Sequence, residues 1–140
     1  MSTPSPVSVS ADVRAPLALV WTFWTDSAHI VHWNAASHDW HTPRSTSDLR
    51  DGGRFCNRME AKDGSFGFDF EGTYTKVVPH ARIEFAFGDR SAVVTFEAVE
   101  GGTRVVESFV PETQNPVELQ VQGWQAILDN FKKYAEAHAG

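Results

Sequence analysis

The chain closes with the stretch NPVELQVQGWQAILDNFKKYAEA, residues 115–137, and this stretch decides its fold. Asn115 is predicted as an N-cap, Pro116 suits a first turn where its missing donor costs nothing, and Glu118 completes a capping-box-like pair. Apolar residues then recur at spacings of three and four, which places them on one face of a long helix. This stripe needs a broad apolar surface to lie on, and its members are Val117, Val121, Trp124, Leu128, Phe131 and Ala135.

The preceding segments are predicted to supply that surface as a sheet. Alternating apolar residues such as Ile83, Phe85 and Phe87 are typical of strands with one buried face. Short turns join these segments, which indicates an antiparallel meander. The expected strands are residues 7–13, 54–61, 66–78, 82–87, 92–99 and 103–110. Two short helices are expected after the first strand, and residues 35–47 are expected to be irregular.

Composition indicates one soluble domain. The chain has 140 residues, so we expect a single domain over residues 7–140 after a disordered tail, residues 1–6. The single cysteine, Cys56, precludes an internal disulfide, which fits a reducing cytoplasm. The net charge of −6 argues against nucleic acid as a partner, and no apolar run has the length of a membrane helix. A monomer or a weak homodimer is expected.

At this point the chain resembles the SRPBCC or START-like superfamily, which includes Bet v 1-type allergens and polyketide cyclases. Within it, the chain is similar to small bacterial proteins related to the C-terminal domain of the Hsp90 ATPase activator (AHSA1-like proteins). The more specific matches are the Leu-Arg-x-Gly-Gly-x-Phe turn at residues 49–55 and the Gly-Trp-x-x-x-Leu pattern at residues 123–128. The others are Val13 to Pro16, Val20-Trp21, Thr25-Asp26, Trp33, Gly72-Thr73-Tyr74 and Val78-Pro79.

The resemblance implies an α+β helix-grip fold. A curved antiparallel sheet of six or seven strands would wrap around the long C-terminal helix, with two short helices after strand 1. A cavity would lie between the sheet and that helix. Activity does not follow, because this fold hosts lipid carriers, cyclases and co-chaperone domains alike.

The expected cavity would be largely aromatic. Trp124, Leu128 and Phe131 would line it from the last helix, and six phenylalanines would face them from the sheet. The alternative is a solid core in which these rings pack against each other. The six are Phe68, Phe70, Phe85, Phe87, Phe96 and Phe109.

Four further residues are candidates for the polar end of the site. Glu107 lies between Val105 and Phe109 in the strand alternation, so it faces inward if they do, and solvent if the alternation is reversed. Trp40 anchors a polar segment in which Asp39 and His41 are a candidate base and orienting partner. The alternative for that segment is an ordered surface loop.

Other chemistries have little support in the sequence. His29-x-x-His32 and His38-x-x-His41 place four imidazoles close together, but no Cys lies nearby and the established zinc patterns are absent. No nucleophile elbow, P-loop or dinucleotide fingerprint occurs. We therefore expect no metal, no cofactor and no catalytic thiol at Cys56.

Three functions remain. The first is a non-catalytic protein that binds a hydrophobic or aromatic small molecule, with Asp39, His41 and Glu107 orienting its polar end. The second is a cyclase or hydratase in which the same three residues transfer protons. The third is an interaction domain for Hsp90, which is the least favoured because nothing here resembles the N-terminal half of the activator.

Overall fold

A seven-stranded antiparallel sheet curves around one long helix in the computed structural model, which describes residues 5–139. The helices are α1 (Leu17–Thr25), α2 (Ser27–Trp33) and α3 (Val117–His138). The strands are β1 (Val7–Val13), β2 (Trp40–Ser47), β3 (Arg54–Ala61), β4 (Gly67–Val78), β5 (Arg82–Phe87), β6 (Arg90–Val99) and β7 (Gly102–Phe109). The expected α+β helix-grip architecture is confirmed, with seven strands.

The strand order is β1-β7-β6-β5-β4-β3-β2. The strands from β2 to β7 form a meander, in which each strand pairs with the next along the chain. β1 pairs with β7, so α1 and α2 carry the chain from one edge of the sheet to the other. The last helix then lies across the concave face, where its apolar stripe meets the inward residues of the strands.

The two short helices form as the sequence predicts. α2 begins after Asp26, whose Oδ1 accepts a hydrogen bond from the backbone N–H of Ala28 at 2.9 Å. This cap satisfies a donor that would otherwise lack a partner in the first turn. Ile30 and Trp33 are buried, as expected. Trp33 is also fixed in orientation, because its Nε1 donates to the backbone oxygen of Phe23 at 2.9 Å.

The last helix buries the C-terminal half of its stripe. Leu128, Phe131 and Ala135 have no solvent exposure, whereas Val117 is 40% exposed and lies outside the core. The Phe131 ring packs edge-on against the rings of both Trp24 and Trp33, with each centroid 4.8 Å away. Edge-on aromatic contacts of this kind add to the free energy gained from burying the rings.

The predicted capping of this helix by Asn115 is wrong. Pro116 occupies the N-cap position, and no side chain makes a capping hydrogen bond there. Gln120 reaches back instead: its Oε1 accepts from the backbone N–H of Glu112, and its Nε2 donates to the backbone oxygens of Glu112 and Asn115. The helix start is therefore stabilised from inside the helix.

The expectation of an irregular segment over residues 35–47 is wrong from Trp40 onward. β2 pairs with β3 at the edge of the sheet, with a register shift between His41 and Arg44. Pro43 lies inside that shift, and proline is tolerated in sheets at edges and irregularities because it donates no ladder hydrogen bond. The strand was missed because its sequence, WHTPRSTS, has no apolar alternation.

The remaining strands agree with prediction to within two residues at each end. Of the predicted tail, residues 1–4 lie outside the described residues, and Ser5 and Pro6 are exposed and outside any strand. Within residues 5–139, no helix combines the length and apolarity needed to cross a membrane.

Candidate ligand-binding cavity

A cavity of about 340 Å³ lies between the sheet and α3. Eight aromatic side chains line it: Trp24, Trp33, Phe55, Phe68, Phe70, Tyr74, Phe85 and Trp124. The other lining residues are Thr25, Ile30, Asn34, Asn57, Met59, Ile83, Arg90, Glu107 and Ile127. This volume is within the range of small-molecule sites, which are typically about 300–1,000 Å³ and mostly apolar.

Strand alternation explains much of this lining. Phe55, Asn57 and Met59 share one face of β3 and all line the cavity, whereas Cys56 between them does not. The Phe55 ring packs directly over Gly72 of β4, where a Cβ atom would come within 2.2 Å of the Ala86 backbone oxygen. Glycine is therefore required at this position, because any side chain would clash with the neighbouring strand.

Trp124 forms the helical wall of the cavity. Its ring is stacked parallel to Phe109, with centroids 4.0 Å apart and an interplanar angle of 8°. Phe87 contacts it from β5 at 6.1 Å. Since Phe109 is itself fully buried, the Trp124 ring has a fixed position. The cavity thus has a rigid aromatic side beside β7.

Glu107 presents a carboxyl group to the cavity. Its side chain faces inward, the residue is 7% exposed, and its neighbours in the register on β1 and β6 are Val9 and Val94. No side chain among residues 5–139 pairs with it by a hydrogen bond or an ion pair. Removal from water raises the pKa of Glu107 to about 8, so the carboxyl group is mostly protonated at neutral pH.

Arg90 is a second ionisable group that lines the cavity, and unlike Glu107 it carries a charge at neutral pH. Its guanidinium lies 4.6 Å from the centroid of the Phe87 ring, and Nη1 donates to the backbone oxygen of Val110 at 3.1 Å. It forms no ion pair with any carboxylate of residues 5–139. Nothing in the sequence pattern marks Arg90 as a site residue, although it lies on the same inward face of β6 as Ala92, Val94 and Phe96.

Ten of the thirteen predicted site residues belong to β4–β7 and α3, and they fall into two groups. Five of the predicted site residues line the cavity: Phe68, Phe70, Phe85, Glu107 and Trp124. The other five lie in the packed core next to it: Phe87, Phe96, Phe109, Leu128 and Phe131. Both alternatives considered for these rings are therefore present, since part of the interior is solid and part is open.

Asp39, Trp40 and His41 lie away from the cavity. Trp40 and His41 border a separate polar groove between α2, α3 and the segment that joins α2 to β2. His41 Nε2 is 3.9 Å from Glu60 Oε1, and Asp39 is exposed. The structure does not bring these residues together with Glu107. Asn34 borders both the cavity and the groove.

Residues 5–139 contain no group of three or more His, Cys, Asp or Glu side chains placed to hold a metal ion. Of the four imidazoles noted in the sequence, His29 is engaged elsewhere, because its Nδ1 is 2.6 Å from the Tyr134 hydroxyl. This hydrogen bond ties α2 to α3 and thus has a structural role.

Comparison with known proteins identifies the family. The family model described as "Activator of Hsp90 ATPase homolog 1-like protein" matches residues 14–136. The chain is 48% identical to an AHSA1-like protein from Aeromonas hydrophila, covering 95% of this chain and 93% of that one, with a TM-score of 0.90. It is 46% identical to a protein from Cytophaga hutchinsonii, covering 94% and 91%, with a TM-score of 0.78.

A protein from Nitrosomonas europaea shares the fold at 19% identity, covering 98% and 97% of the two chains with a TM-score of 0.83. A comparison with functionally curated proteins finds no match. The similarities therefore show family and fold, and any ligand has to be inferred from the cavity.

Proposed function

The chain belongs to the family of activator of Hsp90 ATPase homolog 1-like proteins, and from this premise we propose that it is a non-catalytic binding protein for a small, largely apolar molecule. The observation that carries the proposal is the aromatic cavity of about 340 Å³, with one buried carboxyl group that has no partner among residues 5–139. A generic core would be filled, since interiors pack as densely as organic crystals.

The energetics favour occupancy by an apolar molecule. Burial contributes about 25 cal/mol per Å² of apolar surface, less the entropy lost on association. The walls are preformed, because Trp124 is stacked on Phe109 and the Trp33 indole is hydrogen-bonded to Phe23. Little side-chain ordering is therefore needed on binding, which lowers the cost.

A proton-transfer enzyme has weaker support. The enzyme hypothesis requires Asp39, His41 and Glu107 to act on the same bound substrate. Asp39 and His41 lie outside the cavity, whereas Glu107 lines it. General acid–base catalysis requires each group within hydrogen-bond reach of the reacting atoms. Glu107 alone remains, and a single protonated carboxyl group is sufficient to orient a ligand.

Native mass spectrometry of protein purified from its own source tests the proposal. We expect a retained small molecule on the wild type, and none on a variant in which Met59→Phe and Ile127→Phe fill the cavity from two sides. Leu119→Phe is the matched control, because Leu119 is 58% exposed on α3 and far less constrained.

Retention of the same molecule by the filled variant would overturn the proposal. An Hsp90 partner makes a different prediction: co-elution with Hsp90 that is equal for the wild type and the filled variant. The same three proteins thus separate binding in the cavity from binding at an outer surface.

A further inference from the structure

Two polar groups of the cavity lack a partner that neutralises or satisfies them. The Glu107 carboxyl group is more than nine-tenths buried and directed into the space, with no hydrogen bond from residues 5–139. The Arg90 guanidinium has several N–H donors, of which one binds the Val110 backbone oxygen. A buried polar group without a partner is costly, which applies mainly to Glu107 because Arg90 is half-buried; a ligand that supplies partners to both groups gains most here.

The charge state of the site at neutral pH is positive. Arg90 is always protonated, and Glu107 is mostly neutral because burial raises its pKa to about 8. Tyr74, the third titratable group on the cavity wall, also stays neutral, since burial raises its pKa above the usual 10. A neutral Glu107 donates one hydrogen bond and does not repel an anion.

From these contacts, and resting on the proposed function, we infer that the ligand is an amphipathic monocarboxylic acid whose carboxylate pairs with Arg90 and whose body carries an oxygen acceptor for the Glu107 hydroxyl. A guanidinium binds carboxylates through two parallel N–H donors. The aromatic walls would hold the apolar part of the molecule between these two groups.

The register shows that one molecule can reach both groups. Glu107 pairs with Val94 on β6, and Arg90 lies four residues earlier on that strand and with the same inward parity. Four residues of strand span roughly 13 Å, and both side chains line the same cavity. The distance left for the ligand is therefore that of a short chain or one to two rings.

Two other ligand classes fit less well. An ammonium ion would find aromatic faces and could ionise Glu107, but Arg90 on the same wall would repel it. A phosphate would bring more negative charge than one guanidinium neutralises, against a protein whose formal net charge is already −6. A single carboxylate matches Arg90, the one lysine or arginine among the described residues that line the cavity.

Three probes with the same apolar body test the inference: phenylbutyrate, phenylbutyramide and phenylbutylamine, with butylbenzene as the apolar reference. Calorimetric titration at about pH 6.5 is expected to give phenylbutyrate roughly tenfold tighter binding than the amide, and the amine the weakest, because charge-assisted hydrogen bonds are the stronger ones. Arg90→Gln is expected to remove the advantage of the acid. The matched control Arg82→Gln, on the adjacent strand β5, should leave it unchanged.

The pH dependence tests the role of Glu107. Phenylbutyrate is ionised throughout and has no oxygen acceptor in its body, so its pH dependence reports the charge of Glu107: raising the pH from about 6.5 to about 9 ionises Glu107 and places a like charge near the ligand. We expect the affinity for phenylbutyrate to fall by about tenfold in the wild type. In Glu107→Gln the affinity at low pH should stay within about twofold of the wild type, and the fall should disappear.

The outcomes distinguish the two proposals. Equal affinities for the acid, the amide and butylbenzene would overturn this inference while leaving an apolar binding cavity. Tightest binding of the amine, strengthening with pH, would make Glu107 the counterion of a cation and would also overturn it. If butylbenzene and all three probes fail to bind, the proposed function fails with it. Arg90→Lys keeps the charge and serves as a folding control.

Discussion

Glu107 is a carboxyl group in a position that packing alone would assign to an apolar residue. Its neighbours in the register are Val9 and Val94, and Val105 and Phe109 flank it on the same face of β7. The protein tolerates it by keeping it protonated, and this makes its contribution to stability depend on pH. Because burial raises the pKa of Glu107, the folded state binds this proton more tightly than the unfolded chain does. Raising the pH therefore lowers the free energy of unfolding.

We therefore predict that the unfolding free energy of the ligand-free protein falls, relative to Glu107→Gln, as the pH rises from 4.5 to about 8. Below this window Glu107 is protonated in both states and the two proteins should be nearly equal. Above it the variant should be more stable by on the order of 5 kcal/mol, since each unit of pKa shift corresponds to about 1.4 kcal/mol. Urea denaturation across the window measures the difference.

The control for this prediction is Glu97→Gln, because Glu97 is exposed on β6. Its difference from the wild type should not change with pH across the same window. If Glu107→Gln behaves in the same way as this control, the carboxyl group at position 107 is solvated in the folded protein and the description of the site is wrong.

Individual residues show where sequence reasoning succeeds and fails. Side chains alternate between the two faces of a strand, so Glu107 on β7 could face only the core or the solvent, and the sequence predicts both possibilities. Arg90 was overlooked, since an arginine just after a Gly-Asp turn is usually solvent-exposed. Asp39 and His41 were expected to lie near Glu107. Their position depends on how β2 pairs with β3, and the sequence does not predict β2.

At the scale of elements, α3 combines a packed face and a cavity face in adjacent residues. Leu128 has no exposed surface and belongs to the core, whereas its neighbour Ile127 lines the cavity. The cost of truncating a side chain depends on the contacts it loses and on the empty volume left behind. Substitutions at these two adjacent residues therefore distinguish the cost of losing core packing from the cost of enlarging an existing cavity.

We predict that Leu128→Ala lowers the unfolding free energy by about 2–5 kcal/mol and that Ile127→Ala lowers it by about 1 kcal/mol. Ile127 already borders open space, so its truncation enlarges a cavity and creates no new one. Equilibrium unfolding in urea measures both. Equal losses would mean that the space next to Ile127 is filled by the protein in solution.

The elements themselves were predicted well where one face is apolar. β5 and α3 have strong periodicity, because burial on one side dictates which positions are apolar. β2 has none, since it lies at the edge, contains Pro43 and has only Thr42 fully buried. Local rules also misplaced the helix cap: no side chain caps the first turn of α3, and Gln120 instead bonds backbone groups of Glu112 and Asn115 in the segment before the helix.

For the molecule as a whole, an open sheet of seven strands leaves two edges that need protection. The edge at β2 is interrupted by Pro43 and a register shift. The edge at β1 is covered by polar side chains of α3. Gln125 Nε2 donates to the Ser10 backbone oxygen at 3.1 Å, Lys132 Nζ donates to that of Asp12, and Glu136 accepts from the Arg14 backbone N–H at 2.9 Å.

The same helix therefore bounds the cavity with one face and closes the sheet with another. If β1 opened, β7 would lose its outer neighbour, and Glu107 on β7 would gain access to water. The hydrogen bonds from α3 to β1 thus help to keep Glu107 buried. Ion pairs on the outer surface, such as Arg50 with Asp48, contribute little by comparison.

This arrangement predicts the effect of removing the edge contacts. The double variant Gln125→Ala and Lys132→Ala should lower the unfolding free energy by about 1–2 kcal/mol, since each lost hydrogen bond contributes roughly 0.5–1.5 kcal/mol. It should also speed amide hydrogen exchange along β1 more than along β5. Gln122→Ala with Lys133→Ala removes the same residue types from exposed positions of the same helix and should change both quantities far less.

Because Glu107 becomes easier to hydrate when β1 opens, the edge variant should also show a smaller pH-dependent difference from its own Glu107→Gln derivative. Equal exchange rates in the edge variant and the control would show that β7 alone holds β1 in place and that α3 serves the cavity only.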